Sequence, residues 1–433
     1  MRMVKHEFKL KPLGLAILAA SIVFAPDKAQ AATVSNIGAA GGDSTADAGY
    51  VTANADANNI AVATGGAGGV AVSGGNANAS AATNISGGVG SAMAIAIGGG
   101  GGAAGSIGDG GNGGNANAIT QLTNSGSGAS IATGMATGGV GGNSISGYTG
   151  NGGTATSKTS VVGGSGPVTV NDSAYGGNGG YGPNAYNAHL DDQVIDGIGG
   201  DATSSASGGN NGAQAVFVSS AAVGGNGGLG SGPILYAHNG AGAVAKASGS
   251  SSGGGAVTVS ASASGGTGGD GQGGYYAGAG GGISLQNAAT GSTSGRLTLI
   301  QAAYGGAGGG LSNVSGVGGT ATSSLIVSDT LADSLLLTNS ATRGIGGAGY
   351  FVRAGVQGGI EPGGNGGAAN STSSGASSIN STVTVNDTAT APAVPEMPAE
   401  MALARLLKPA PEMPVIKQSR FPARQSAATA EQA

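Results

Sequence analysis

The chain has no cysteine and no tryptophan, and only 3% aromatic and 8% charged residues over 433 positions. Without cysteine there is no disulfide framework and no thiolate-ligated metal site. With so few large apolar residues, an interior of leucine, phenylalanine and tryptophan cannot be built. The hydrophobic term per residue is therefore small, and backbone hydrogen bonding must carry much of any fold. Basic residues are scarce where they would matter. Residues 32–390 hold 5 Lys/Arg against 14 Asp/Glu, a net charge of −9. No basic stripe exists there, which argues against nucleic-acid binding.

What is abundant is glycine, 95 residues, against a usual share of about 7%. Disorder is the baseline expectation for a Gly/Ser/Asn-rich chain that cannot offset its chain entropy. Many short β-branched runs and the absence of charge blocks argue the other way.

The first 31 residues read as a secretory signal peptide. Arg2, Lys5, Lys9 and Lys11 form a basic region, Leu13 to Phe24 an apolar run too short to span a membrane, and Ala29-Gln30-Ala31 a small-residue cleavage site. Cleavage after Ala31 makes Ala32 the expected mature start. No second apolar stretch of spanning length follows, so no transmembrane segment is expected after cleavage.

Internal repetition organises the rest. Glycine clusters begin at Gly65, Gly98, Gly138, Gly176, Gly224, Gly265, Gly305 and Gly346, a period near 40. Four units align as VTVNDSAY-GGNGG, VFVSSAAV-GGNGG, VTVSASAS-GGTGG and LTLIQAAY-GGAGG. Their apolar pairs, Val168/Val170, Val216/Val218, Val257/Val259 and Leu297/Leu299, all sit eight and six residues before the first glycine. Composition alone does not fix such an offset, and the alternation marks a half-buried strand. A second signature, GGNANA or GGTATS, recurs between the first ones with the same period and predicts a second strand of very small side chains.

The glycines are expected to be turns, supplying positive φ and close backbone approach at Gly65, Gly138, Gly176, Gly177, Gly224, Gly225, Gly265, Gly266, Gly305 and Gly306. The predicted fold is all-β: an elongated, solenoid-like stack of about eight two-strand units with a small-residue core. At about 4.8 Å per strand the stack is on the order of 40 Å long. A polyglycine-II-like bundle ranks second, because runs such as NANASAATNIS lack glycine at every third residue. Flexible linker behaviour ranks third. Residues 32–59 read as an N-terminal lead-in or cap, 60–390 as the repeat body, and 391–433 as a Pro-rich disordered tail. VTVND recurs at Val383 to Asp387, after which proline ends the sheet. The tail's alternative role is docking to a partner.

Chemical motifs are sparse. Glycine-rich phosphate-loop patterns mean nothing in this composition, and no Gly-Lys-Ser/Thr element exists. His189 and His238 stand alone, which disfavours zinc. No catalytic or cofactor-binding residue is assigned and no cofactor is expected. The weak calcium candidates are Asp191, Asp192, Asp196, Asp201 and Asp270. Gly265 to Asp270 fits the opening of a nonapeptide calcium repeat, but Gln272 stands where its apolar residue belongs and sister units lack the Asp. The longest variable loop, 181–198, carries Tyr181 and Tyr186 and is the candidate ligand-binding loop. Threonine runs suggest an ice-binding row, but the equivalent positions hold Asn, Thr, Asp or Ser.

The GGNGG, GGAGG and GGTATS units over residues 60–390 resemble the glycine-rich repeat passengers of exported bacterial adhesins and haemagglutinin-like proteins, including autotransporters. They are also similar to the mycobacterial PE/PGRS proteins. The chain departs from autotransporters in lacking a C-terminal barrel, and from the mycobacterial proteins in lacking their N-terminal domain. The phrase Phe8-Lys9-Leu10-Lys11-Pro12-Leu13 resembles leaders of large exported proteins of Gram-negative bacteria. The resemblance implies a secreted or surface-exposed, non-enzymatic protein of adhesion, biofilm matrix or surface coat, with surface glycans or self-association as partners. The alternatives are a glycan-, ligand- or ice-binding module using loop 181–198, and, more remotely, a β-helix polysaccharide-active enzyme. The enzyme would need clustered Asp, Lys and Arg, whereas Lys158, Lys246, Arg296, Arg343 and Arg353 are scattered.

Overall fold

A computed structural model of the chain describes residues 31–48, 57–105, 108–145, 147–182, 197–231, 237–272, 276–310, 314–349, 363–377 and 381–392. The leader up to Gln30, the tail from Ala393, and most of loop 181–198 lie outside the described residues. The described part is all-β, contains no helix, and pairs every strand in parallel.

The first sheet has ten strands: β1 (Ala31–Ile37), β3 (Asn58–Thr64), β5 (Gly90–Ile97), β7 (Ser130–Thr137), β9 (Val168–Tyr175), β11 (Val216–Val223), β14 (Val257–Ser264), β18 (Arg296–Tyr304), β20 (Ser334–Thr342) and β22 (Thr382–Thr390). The second has seven: β2 (Ser44–Ala48), β4 (Ala77–Ile85), β6 (Ala116–Asn124), β8 (Ala155–Gly163), β10 (Ala202–Asn210), β13 (Ala243–Ser251) and β17 (Ala289–Thr293). A three-stranded sheet continues past it with β16 (Ile283–Gln286), β19 (Ala321–Asp329) and β21 (Ala369–Ser377). A small pair, β12 (Gly230–Ser231) with β15 (Gly271–Gln272), completes the set. Residues 32–59, expected to be a lead-in, already supply β1 to the first sheet and β2 to the second.

The repeat register carries over into strand pairing. Val168, Val216, Val257, Leu297, Leu335 and Val383 lie side by side, each partnered with the next. Alternate residues of each strand face the second sheet, as a half-buried strand requires. The core between the sheets is mostly alanine, with valine and leucine added towards the C-terminal end.

The two sheets compensate each other's size. In the first sheet the leading inward position runs Gly90, Ser130, Val168, Val216, Val257 and Leu297. The facing file of the second sheet runs Thr83, Leu122, Val161, Gly208, Gly249 and Gly291. Large residues thus face glycine at both ends of the series. A Cβ on Gly208 would lie 2.6 Å from Val170 Cγ2, and one on Gly291 2.7 Å from Leu297 Cδ1. At the other end, a Cβ on Gly90 would lie 2.6 Å from Ile85 Cδ1.

The glycine clusters differ from the expected turns. Among the described glycines only Gly41, Gly88, Gly108 and Gly254 have positive φ. The clusters continue the strands as extended segments, and their hydrogen bonds repeat every three residues. In the segment after β9, Gly176 and Gly179 N–H donate to Val223 and Asn226 of the next unit in the same row. Gly177 and Gly180 N–H donate across to Gly153 and Gly150 of the facing row. Gly153 in turn donates to Gly139, Gly139 to Gly114, and Gly114 to Gly99, so the two rows are laced together. A Cβ on Gly177 would clash with the Gly139 carbonyl oxygen, and one on Gly153 with that of Gly114. Closeness, rather than a left-handed backbone, is what these positions demand.

The third N–H faces solvent, and the intervening residue accounts for it. Asn178 Oδ1 accepts the Asn226 N–H at 2.9 Å, and Asn226 Oδ1 accepts the Thr267 N–H at 2.8 Å. In the facing row, Asn76 Oδ1 receives the Asn115 N–H and Asn115 Oδ1 that of Thr154. An Asx side chain is short enough to reach one unit along and replace the missing carbonyl.

The second sheet breaks once. Asn287, at φ +45°, separates β16 from β17, so that β16 joins β19 and β17 joins β13. Gln301 closes the gap from the first sheet. Its Oε1 accepts the Ala288 N–H at 2.6 Å, and its Nε2 donates to Ser323 Oγ at 2.9 Å.

Two outcomes test this packing. Gly177→Ala should lower stability by roughly 1–3 kcal/mol or more, while Asn178→Ala, which removes one exposed cap, should cost about 1 kcal/mol or less. Thermal melts followed by circular dichroism compare them. In the core, Gly208→Ala and Val170→Ala should each destabilise, and the double variant should be better than their sum by about 1 kcal/mol or more.

Candidate functional site

Three places gather chemistry-bearing side chains. The first is a buried acid. Asp172 is 3% exposed at the third inward position of the first sheet. That file reads Gly134, Asp172, Ser220, Ala261, Gln301, Asn339 and Asp387 across seven adjacent strands. Asp172 accepts hydrogen bonds from Ser157 Oγ at 2.7 Å, Thr159 Oγ1 at 2.6 Å, Ser204 Oγ at 2.7 Å and the Ser205 N–H at 2.8 Å. Gly134 keeps the space beside it open, since a Cβ there would lie 2.5 Å from Asp172 Oδ1. Burial raises its pKa above the ordinary carboxylate value, and the four donors pull it part of the way back. The donors come from the facing sheet, so Asp172 ties the two sheets together in a core with few large side chains.

The second place is a shallow depression of about 1010 Å³ on the outer face of the second sheet, over β8, β10, β13 and β17. Ser160, Ser207, Ser248 and Ser292 border it where Gly208 and Gly249 thin the sheet. Among the described residues no acid, aromatic or imidazole lines it. Lys158 and Lys246 stand on the same outer face with Ser205 between them. The outward threonine row is broken: its register-matched file reads Asn78, Asn117, Thr156, Thr203 and Val244.

The third place is a seam in the glycine rows. The carbonyls of Gly111, Gly150, Gly197, His238 and Gly278 occupy one equivalent position. They accept the N–H groups of Gly142, Gly180, Gly228, Gly269 and Gly309 respectively. His238 is the interior departure from glycine in that file. Ala241 is the same kind of departure in the adjacent file of Gly153, Gly200 and Gly281. At the neighbouring glycines a Cβ would clash with a carbonyl oxygen: Gly150 with that of Gly111, Gly197 with that of Gly150. His238 and Ala241 carry Cβ atoms in these files, yet their carbonyls still accept the Gly269 and Gly266 N–H groups at 2.9 Å; the long bond lies beside them. Ala202 N–H reaches the Gly242 carbonyl at 3.4 Å, against 2.9 Å for Ala155 to Asp201 and for Ala116 to Thr154.

A cleft of about 430 Å³ lies at this seam, lined by Asp109, Tyr148, Thr149, Ile198 and His238 together with the exposed Asn112 and Asn151. Tyr148 is 51% exposed, so its ring is available to a ligand. Thr149 is 6% exposed, yet its Oγ1 has no hydrogen-bond partner, and neither has the buried His238 Nε2. Buried polar atoms are usually paired, so two orphans on one cleft are informative. Burial lowers the His238 pKa, which keeps the imidazole neutral near pH 7. Asp109 Oδ1 accepts the Tyr148 N–H at 2.8 Å and so fixes the rim.

The calcium candidates do not assemble among the described residues. Asp201 Oδ1 accepts the Gly242 N–H and Asp270 Oδ1 the Gly310 N–H, both in the capping role of the asparagines. Asp191, Asp192 and Asp196 lie outside the described residues, as does Tyr186. No group of three or more His, Asp or Glu able to hold a metal occurs among the described residues. Of loop 181–198, Ile198 reaches the cleft, and the residues beside it come from three other units. His238 and Thr149 were not singled out by motif. The available signal was alignment of the return segments, where YTGNGG and YAHNGA put histidine in a glycine column.

The acid centre yields a pH prediction. A raised native pKa means that the folded state binds more protons than the unfolded state between the two values. Stability from this group therefore falls as pH rises from the unfolded value of 3.8 through the native one. Thermal melts across that range should show this slope in the wild type and not in Asp172→Asn.

Comparison with protein-family models, with curated proteins and with solved structures gives no significant match.

Proposed function

We propose that the chain is an exported, non-enzymatic surface protein of adhesion, matrix or coat type, built as a parallel β-solenoid with a polyglycine-II-like flank. The observation that carries this reading is the strict register. Each repeat adds one strand to the first sheet, and its outgoing and returning glycine segments are laced to those of its neighbours. Three residues per hydrogen-bonding period, with a different neighbour on each side, is the polyglycine-II arrangement, related to polyproline II. The β half supplies a thin core, and the glycine half supplies a stiff, nearly side-chain-free arm. Each arm ends in a segment whose length varies, from Gly69–Val72 in an early unit to residues 181–196 later. An architecture that repeats its frame and varies only its loops suits display and contact better than catalysis. The leader reading and the adhesin-like repeats support export to the surface of a Gram-negative bacterium.

The full chain should bind surfaces or cells in an adhesion assay. Replacing residues 183–196 with a short Gly-Ser linker should reduce that binding several-fold while leaving the thermal melt within a few degrees. Undiminished adhesion would put the contact elsewhere, and a wild type without adhesion would sink the reading.

A further inference from the structure

We infer that the seam around Thr149 and His238 is a binding subsite for a neutral saccharide, contributed by four successive repeats. The inference deepens the adhesion reading and rests on it. The seam exists because two positions break a rule that every neighbouring unit keeps. His238 and Ala241 stand in files of glycine where a Cβ meets a carbonyl oxygen, and beside Ala241 one backbone bond, from the Ala202 N–H to the Gly242 carbonyl, is 3.4 Å long. A departure from a local rule is where function is expected. The place it opens has the chemistry of a polyol site. Tyr148 offers an exposed ring face for the apolar side of a pyranose. The Thr149 hydroxyl and the neutral His238 imidazole offer a buried donor and acceptor with no other partner. Asn112 and Asn151 have their side-chain oxygens committed to the Asn151 and Ile198 N–H groups, which fixes the orientation of their amides beside the cleft. The cleft volume of about 430 Å³ falls at the lower end of ligand sites, which run from ~300 to 1,000 Å³.

Charge selects the class of sugar. Asp109 lines the cleft, no Lys or Arg does so among the described residues, and the body of the chain is net negative. A sialylated or uronic-acid glycan would meet repulsion there, whereas a neutral hexose oligomer would not.

The test is calorimetric titration of the full chain with neutral hexose di- to tetrasaccharides, and with their uronic-acid counterparts in parallel. The wild type should bind a neutral oligosaccharide saturably. Thr149→Val, which keeps shape and removes the hydroxyl, should weaken binding at least ten-fold with an unchanged melt. Tyr148→Ala should do the same. His238→Gly should abolish binding and raise the melting temperature by restoring the glycine file. No binding of any neutral saccharide overturns the inference, as does binding that Thr149→Val and Tyr148→Ala both retain, or a preference for the acidic sugars. The adhesion assay separates the two ideas: adhesion that persists without saccharide binding leaves the adhesion reading standing and removes the subsite alone. Saccharide binding through the seam without adhesion removes the adhesion reading instead.

Discussion

The molecule depends on how closely two backbones can approach when neither carries a Cβ. In the laced rows, Gly177 sits against the Gly139 carbonyl and Gly153 against that of Gly114. At that distance two of every three N–H groups find a carbonyl, one along their own row and one in the facing row, without help from side chains. The energy lost by having little apolar area to bury is offset by hydrogen bonding repeated at every unit. Asparagine at the outward position extends the same logic to the N–H that would otherwise rely on water. Glycine content that looks like a sign of disorder is here a packing requirement.

The β half solves the complementary problem of a thin core. Alanine fills most of it, and towards the C-terminal end larger side chains on the first sheet are matched by glycine on the second, as with Val170 against Gly208 and Leu297 against Gly291. A core this thin has little room for error, and the polar file through Asp172, Gln301 and Asn339 gives directional contacts between sheets where apolar contacts are few. Gln301 has a further use. It bonds to both sides of the break at Asn287, so the frame continues where the second sheet divides.

The strands and their register were legible because the apolar pairs keep a fixed offset from the glycines, and Val168, Val216, Val257 and Leu297 do pair in order. What the glycines do was less legible. Glycine serves turns and close contacts alike, and composition does not separate them; the three-residue spacing of Gly176/Gly179 and Gly177/Gly180 was present but too short to read as a helix of its own. The candidate site was the least legible part. Asp172 lay in a column, the fifth residue of VTVNDSAY and LTLIQAAY, that becomes meaningful only when inward and outward faces are assigned. His238 looked like a solitary histidine until the hydrogen bonds aligned it with Gly150 and Gly197.

Amide hydrogen exchange, read residue by residue, distinguishes laced glycine rows from loops. The account predicts slow exchange at Gly176, Gly177, Gly179 and Gly180, comparable to the strands on either side. It also predicts slow exchange at Asn226 and Thr267, which donate to the preceding asparagine, and fast exchange at Asn178, because Val140 in the preceding unit has no side-chain oxygen to offer. Protected strands with uniformly fast exchange through the glycine segments would contradict it, reducing the arms to loops and leaving the β sheets as the whole of the fold.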